Sequence, residues 1–223
     1  MNSNPTRLFL FEHVARIGKA FSSPRRLELV ELLAQGEKTV EALAQQSGMD
    51  MRLTSAHLKA LREARLVETR REGKFIHYRL SGQDVAGLWM ALRETAEEHL
   101  VELRIALEQM AAQPDALSSE NRTSLLEKAR SGEILVIDVR PGGEYAAGHL
   151  PHARSLPLDE LEKRLADLPT DINIVAYCRG PFCLMSDDAV KLLRKHGYTA
   201  HKIDDGVAEW AAGGMPIERA DRK

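Results

Sequence analysis

Two unbroken apolar runs, ILVIDVR at residues 134–140 and INIVAYC at residues 172–178, restrict the fold of the second half of the chain more than any other feature. A strand that is apolar at every position is buried on both faces, which is typical of parallel sheets covered by helices. LDELEKRLADLP and SDDAVKLLRKHG show helical spacing, and a third strand, AHKIDDG, and a closing helix, VAEWAAGG, follow. The alternation predicts an α/β domain with a parallel central sheet.

The first half of the chain is dominated by helical periodicity. The predicted elements are helices at residues 8–21, 23–36 and 39–48, a helix that begins after Asp50, a hairpin in VETRREGKFIHYRL, and one long helix at residues 84–111. This order is a helix-turn-helix followed by a two-stranded hairpin, a mainly-α winged arrangement. The apolar stripe of the long helix is wider than one small domain needs, so we expect a partner chain to cover it.

The segment AAQPDALSSENRTS breaks the helical pattern and is the predicted linker. We therefore expect two domains, at residues 1–112 and 122–223, joined by a linker at residues 113–121.

Residues 52–79 carry eight Lys or Arg against three Glu, a local positive charge. On the helix after Asp50, inward-facing Thr54, Leu58 and Leu61 leave a cationic face on the opposite side. The candidate DNA-contacting residues are Arg52, Ser55, Lys59 and Arg62 on this helix and Arg70, Arg71 and Lys74 in the hairpin. The cationic face of this helix by itself is equally consistent with a helix that binds a DNA major groove and with the solvent-exposed face of a helical bundle. The basic hairpin after the helix favours DNA binding.

Across residues 5–111, the order and spacing of SPRRLELVELLAQGEKTVEALAQQSG, HLKALREARLV and REGKFIHYRL resemble the ArsR family of dimeric winged-helix repressors. The resemblance implies a homodimer built on the first and the long last helix, with two recognition helices on a near-palindromic operator. Metal-sensing members carry paired cysteines where this chain has Thr39 and Glu41, which are not thiolate ligands, so we expect no metal there. Arg65 stands where the family often has a helix-ending glycine.

Cys178 and Cys183 are the two cysteines of the chain, and both lie in the short loop CRGPFC. The loop follows a predicted buried strand and precedes a predicted helix, where open parallel sheets place their ligands. Inward-pointing N–H groups and the helix dipole are expected to lower the pKa of Cys178. Position 184 is Leu rather than the Arg of Cys-x5-Arg phosphatases, and a loop this short fits storage of sulfur as a Cys178 persulfide.

Residues 122–219 resemble a rhodanese domain through IDVRPGGEYAAGHLPHARSLPL, VAYCRGPFC and IDDGVAEWAAGGMPIE. The resemblance makes Cys178 the sulfur acceptor, and it implies that Asp138 and Arg140 hold the base of the loop. It also implies a cradle for Cys178 formed by the backbone N–H groups of Arg179, Gly180, Phe182 and Cys183, with Pro181 contributing no donor.

The final loop position is Cys183, where rhodaneses that use thiosulfate often carry Arg, so a thiol persulfide is the expected donor. Two interpretations of Cys183 stay open. It is either a resolving thiol that discharges sulfur from Cys178 or a buried, small apolar residue.

The combination of the two halves admits three functions: a regulator whose operator affinity responds to sulfur at Cys178, a sulfurtransferase with the winged helix as a dimerisation module, or a repressor with an inert rhodanese domain. We expect the first and leave enzymatic turnover open. The expected partners are double-stranded DNA, a second copy of the chain, and a small sulfur donor or acceptor thiol, with no cofactor and no metal. No apolar run approaches a membrane span and MNSNPTRLFLFEH is unlike a secretory signal, so we expect a cytoplasmic protein without a membrane partner.

Overall fold

The structure is a computed structural model that describes residues 4–111 and 121–220. Contacts between residues divide the chain into two compact units, Met1–Glu94 and Thr95–Lys223. The predicted linker at residues 113–121 lies, except for its last residue, outside the described residues, so the predicted domain limits stay predictions. Within the described ranges, the structure has no helix that combines the length and the apolar character needed to cross a membrane.

The first unit begins with four helices whose ends follow from local capping. They are α1 (Pro5–Phe21), α2 (Pro24–Ala34), α3 (Val40–Ser47) and α4 (Met51–Glu63). The Thr39 hydroxyl accepts the N–H of Ala42 at the start of α3, and the Asp50 carboxylate accepts the N–H of Leu53 at the start of α4. Gly48 ends α3 with a φ of 64°, a left-handed conformation that glycine adopts without steric cost. These ends confirm the predicted helix-turn-helix.

A three-stranded antiparallel sheet completes the winged-helix fold. Its strands are β1 (Lys38–Thr39), β2 (Val67–Glu72) and β3 (Phe75–Leu80), in the order β1-β3-β2. β2 and β3 form the predicted hairpin, in which Glu72 pairs with Phe75 across a turn that contains Gly73 at a φ of 58°. The short strand β1, which pairs with β3, was not predicted.

The core of the first unit joins these helices through fully buried aliphatic side chains. Leu29 and Val30 of α2, Leu43 of α3, and Leu58 and Leu61 of α4 are each 0% exposed. Full burial of such a side chain contributes about 1.5–3 kcal/mol. This packing fixes which face of α4 points outward.

The long helix predicted at residues 84–111 is instead two helices, α5 (Gln83–His99) and α6 (Val101–Ala111). The N–H of Leu100 still donates to the carbonyl of Ala96, but the N–H groups of Leu103 and Arg104 both return to the carbonyl of Leu100. The backbone therefore tightens towards 3-10 geometry at the junction. The prediction of one continuous helix is wrong at this point.

The second half alternates strands and helices. Its elements are α7 (Arg122–Ser131), β4 (Ile134–Asp138), α8 (Gly142–Ala147), β5 (Arg154–Ser155), α9 (Leu158–Leu161) with a 3-10 segment (Glu162–Asp167), β6 (Asn173–Tyr177), α10 (Met185–Lys195), β7 (Ala200–Lys202) and α11 (Val207–Ala212). The sequence pattern did not predict α7, α8 and β5.

The second sheet is parallel, with the order β5-β4-β6-β7, as the apolar runs predicted. Its two faces are buried in two separate apolar clusters, with Ile137 and Ile174 on one side and Val136 and Val175 on the other. Because β4 and β6 are the central strands and end in register, Asp138 and Tyr177 lie opposite each other at the same edge of the sheet. The cysteine loop begins directly after that edge.

Candidate active site and nucleic-acid interface

The thiol of Cys178 lies in the loop between β6 and α10, and the residue is 2% exposed. Its Sγ atom lies 3.2 Å from the hydroxyl oxygen of Ser186 and 3.2 Å from the carbonyl oxygen of Cys183. The carbonyl can accept only from the neutral thiol, whereas the Ser186 hydroxyl can donate to the thiolate. The site therefore has partners for both protonation states of Cys178.

Hydrogen bonds lower the pKa of Cys178 to about 6. The largest contribution comes from the side chain of Cys183, and burial opposes it. The hydroxyl of Ser186 and the N–H groups of Ser186 and Gly180 add to the lowering. The same thiol–thiol contact, together with burial, raises the pKa of Cys183. At neutral pH the pair therefore favours a thiolate at Cys178 and a protonated thiol at Cys183.

The loop backbone differs in part from the cradle that the resemblance implied. Gly180 donates to Cys178, and the N–H of Arg179 acts on the Cys183 thiol. The N–H of Cys183 donates to the carbonyl of Gly180 at 3.0 Å and closes a turn. Ser186, which the sequence analysis did not consider, supplies an N–H to Cys178 in its place.

The other predicted loop residues, Pro181 and Phe182, are both partly buried. Gly180 has a φ of 135°, which a residue with a side chain rarely adopts. The loop therefore needs glycine at this position.

Asp138 and Arg140 form a fully buried ion pair at the end of β4, with Nη2 and Oδ2 2.5 Å apart. Arg140 also donates to the carbonyl of Gly148 at 2.7 Å. Tyr177, the residue before Cys178, donates its hydroxyl to Asp138 at 2.6 Å and accepts the N–H of Leu150 at 3.1 Å. The pair thus ties the strand that leads into the cysteine loop to the turn at Gly148.

Sequence reasoning missed two carboxylates that contact the loop. Glu144 of α8 pairs with the guanidinium of Arg179 at 2.7 Å. Glu209 of α11 accepts the N–H of Gly206 at 2.9 Å and packs against Gly180. No local pattern marks these residues, since Glu144 and Glu209 lie about thirty positions to either side of the loop.

The predicted DNA-facing residues of α4 are all exposed, whereas Thr54, Leu58 and Leu61 are each 0% exposed. The exposed set is Arg52, Ser55, Lys59 and Arg62. Lys59 lies 3.9 Å from Glu63, an exposed pair that contributes little to stability. The helix therefore presents a cationic surface opposite its buried side.

The hairpin cations differ in their partners. Arg71 and Lys74 are exposed, and Arg71 donates to the carbonyl of Gly73 at 3.1 Å. Arg70 instead pairs with Glu37 at 2.6 Å and with Glu72 at 2.8 Å. The contact with Arg70 lowers the pKa of Glu37 and raises that of Arg70. The charge of Arg70 is therefore already balanced by carboxylates.

Arg65 adopts a φ of 62° at the end of α4, where the family often has glycine. The N–H of Leu66 returns to the carbonyl of Leu61, and the Ser81 hydroxyl donates to the carbonyl of Arg65. The helix end thus keeps a left-handed termination without glycine.

Thr39, which aligns with a metal-ligand position of metal-sensing members, caps α3 through the N–H of Ala42. In residues 4–111 and 121–220, no group of three or more His, Cys, Asp or Glu side chains is placed to hold a metal ion.

Comparisons with known proteins find relatives for each half of the chain. A family model described as "Bacterial regulatory protein, arsR family" matches residues 23–69, and one described as "Rhodanese-like domain" matches residues 121–213. The HTH-type transcriptional regulator Rv0324 of Mycobacterium tuberculosis is 45% identical over 210 residues, which cover 94% of this chain and 92% of that protein. That relative spans both halves.

Two further relatives match one half each. A sulfurtransferase of Allochromatium vinosum is 32% identical over 90 residues, which cover 40% of this chain and 82% of that protein. The solution structure of the homodimeric winged helix-turn-helix DNA-binding domain of Mb0332 from Mycobacterium bovis, fragment 1–100, is 44% identical. It covers 46% of this chain and 94% of its own, with a TM-score of 0.42.

Proposed function

The chain belongs to the ArsR-family transcriptional regulators, in the form that carries a C-terminal rhodanese domain, and on this premise we propose that sulfane sulfur bound at Cys178 changes its affinity for a DNA operator. The observation that carries the proposal is the buried Cys178 thiol, whose hydrogen bonds lower its pKa to about 6. The thiolate is the form of a cysteine that attacks sulfur, and a pKa of about 6 makes it the main form of Cys178 at neutral pH. The exposed cations of α4 and the hairpin supply the surface for DNA.

Operator binding rests on α4 in the major groove and on the hairpin against the phosphate backbone. Arg52 and Ser55 lie near the start of α4, where a recognition helix reads base edges, and Lys59 and Arg62 extend the surface along the helix. Arg71 and Lys74 would contact phosphates, while Arg70 contributes less because Glu37 and Glu72 balance its charge.

Neighbouring arginines on β2 provide a matched test of the DNA surface. Arg71→Ala should weaken binding to all duplexes and reduce the slope of log affinity against log salt by about 0.9, the loss of one phosphate contact. Arg70→Ala should change the affinity and the salt slope much less, because Glu37 and Glu72 already balance the charge of Arg70. Equal losses in the two variants, measured by fluorescence anisotropy across a salt series, would contradict this assignment of the surface.

Dimerisation would bring two recognition helices to a near-palindromic operator. Large apolar side chains are exposed on the helices that the proposal places in the interface, namely Leu8, Phe9, Leu10, Phe11 and Val14 on α1, Leu88 and Leu92 on α5, and Ile105 on α6. Large apolar side chains exposed on a helix are typical of an interaction site. Replacing Leu92 by Glu should lower the mass measured by light scattering to that of a monomer and abolish operator binding with it.

Sulfur enters the proposed cycle when the Cys178 thiolate attacks the terminal sulfur of a persulfide: R–S–SH + Cys178–S⁻ gives R–S⁻ + Cys178–S–SH. Cys183 would then lose its thiol proton to solvent and attack the inner sulfur of Cys178, forming the Cys178–Cys183 disulfide and releasing HS⁻. The close contact of the two thiols supports this step, since the side chain of Cys183 is the group that lowers the pKa of Cys178 most. In the alternative, Cys183 is a packing residue and an external thiol removes the sulfur.

The experiment that tests the proposal is selection of an operator from random DNA, followed by binding measurements with reduced and persulfide-treated protein. We expect the treatment to change affinity for the selected operator at least about tenfold, a coupling of about 1.4 kcal/mol. Cys178→Ser should bind like the reduced parent under both conditions. Identical affinities of treated and reduced parent would refute the coupling. Sustained sulfur transfer without any such change would favour the sulfurtransferase alternative.

A further inference from the structure

Two cations at the carboxyl ends of β6 and β7, Arg179 and Lys202, are paired with carboxylates. Arg179 is the one cation in the CRGPFC loop, and its guanidinium makes two parallel contacts with Glu144, at 2.7 and 3.0 Å. Glu144 is 2% exposed, so the pair is largely shielded from water. Lys202, at the end of β7, pairs with Asp187 of α10 at 2.8 Å and with Asp204 at 3.4 Å. Both of these positive charges are thus balanced by carboxylates within the protein.

The carboxylate of Glu209 adds negative charge against the loop itself. Its two oxygens lie 3.1 and 3.2 Å from the position that a Cβ atom on Gly180 would occupy. The N–H of Gly206 fixes this carboxylate, donating to it at 2.9 Å, and Glu209 is 9% exposed. Because the N–H of Gly180 is one of the donors to Cys178, the carboxylate stands beside the group that holds the reactive sulfur. Because Glu209 is largely buried, the electric field of its carboxylate at the Cys178 loop is stronger than it would be in water.

Building on the proposed function, we propose that Glu209, together with the Glu144–Arg179 pair, makes the Cys178 loop select sulfur donors that are neutral at the reacting sulfur and reject dianions such as thiosulfate. The terminal sulfur of a persulfide can approach as a neutral SH group, whereas thiosulfate carries two negative charges throughout the neutral pH range. Like charges at a partly buried site slow the encounter with an anion.

The two donors also differ in the charge of the leaving group. The Cys178 thiolate forms a bond to the outer sulfur of the donor, and the sulfur–sulfur bond of the donor breaks with its electron pair on the departing group. A persulfide releases a thiolate with one charge at sulfur. Thiosulfate releases sulfite, S₂O₃²⁻ + Cys178–S⁻ giving SO₃²⁻ + Cys178–S–S⁻, so the double charge stays beside Glu209 during the transfer. Arg179 cannot offset that charge while it is paired with Glu144.

The experiment compares two probes, thiosulfate and the persulfide of N-acetylcysteine methyl ester, which carries no other charge. Second-order rates of Cys178 persulfidation are measured by mass spectrometry. In Glu209→Gln the amide oxygen can still accept the Gly206 N–H, so this contact is kept while the charge is removed. The thiosulfate rate should rise about tenfold more than the persulfide rate. Glu144→Gln, which releases Arg179, should likewise raise the ratio of the thiosulfate rate to the persulfide rate.

The matched control is Glu133→Gln, which removes the same charge from an exposed residue at the opposite edge of the sheet, before β4, and should leave the ratio as in the parent. In the parent, added salt should speed the thiosulfate reaction by screening the repulsion, and this slope should shrink in Glu209→Gln. A ratio and a salt slope that stay the same in Glu209→Gln would overturn this inference while leaving the proposed function intact. Failure of both probes to place sulfur on Cys178 would overturn both.

Discussion

Replacing Cys183 by Ala should raise the pKa of Cys178 from about 6 to between about 7 and 8. The Cys183 side chain lowers this pKa more than any other group, by donating to the thiolate. A hydrogen bond to a charged group contributes about 1.5–3 kcal/mol, and a change of one pH unit corresponds to about 1.4 kcal/mol. Loss of the donor therefore moves the midpoint by about one to two pH units. Admitting water beside Cys178 acts in the opposite direction, so the observed rise is a lower bound on the contribution of the contact.

The assay is the rate of iodoacetamide alkylation at Cys178 across a pH series, followed by peptide mass spectrometry. Because the thiolate is the reacting form, the midpoint of the rate profile reports the pKa. Cys183→Ser is the matched control, since a hydroxyl at that position can still donate, and its midpoint should stay closer to that of the parent. Ser186→Ala should also raise the midpoint, but less than Cys183→Ala, because its side chain contributes less.

Two results would refute this reasoning. If the midpoint of Cys183→Ala equals that of the parent, Cys183 does not donate to the thiolate, and the remaining partners carry the whole effect. If Cys183→Ser shifts as far as Cys183→Ala, the cause is a change in packing rather than a lost hydrogen bond.

Three further predictions concern stability. Arg65→Gly should raise the free energy of unfolding by about 0.5–1 kcal/mol, because glycine adopts the φ of 62° without steric cost. The urea midpoint should therefore rise, and a lower midpoint would contradict this. Gly206→Ala should cost about 1–3 kcal/mol in thermal melts, because its Cβ would collide with the backbone carbonyl of Arg179; an unchanged melting temperature would argue against that close approach. Since folding lowers the pKa of Cys178 from 9.0 to about 6, the free energy of unfolding should rise with pH across this window and lose that gain as pH falls through about 6. The raised pKa of Cys183 has the opposite sign and lowers stability above pH 9. Denaturant titrations should therefore show the free energy of unfolding rising between pH 6 and pH 9 and not a flat profile.

Local chemistry in the sequence determined the elements and their order. Thr39 and Asp50 cap the helices they precede, and Gly48 ends α3, because a short side chain or a glycine satisfies a helix end using neighbours a few residues away. The apolar runs at β4 and β6 required a sheet covered on both faces. The position of the cysteine loop, after a buried strand and before a helix, followed from these elements.

Weakly patterned segments were harder to predict from the sequence. α8 is six residues long and starts with two glycines, and β5 has two residues, so neither is long enough to show a period. The break at Leu100 lies within an apolar stripe that continues across it, and periodicity does not report a local tightening of the backbone.

Only the tertiary structure decided which charges meet at the cysteine loop. Arg179 finds Glu144 across 35 positions, Glu209 reaches Gly180 from the last helix, and Tyr177 reaches Asp138 across the sheet. The chain contains 31 Lys or Arg and 33 Asp or Glu, so composition allows very many pairings, and those that form depend on which strand ends the fold brings together. For this reason the sequence predicted a candidate reactive thiol at Cys178, whereas the charges around its loop came from contacts between residues far apart in the chain.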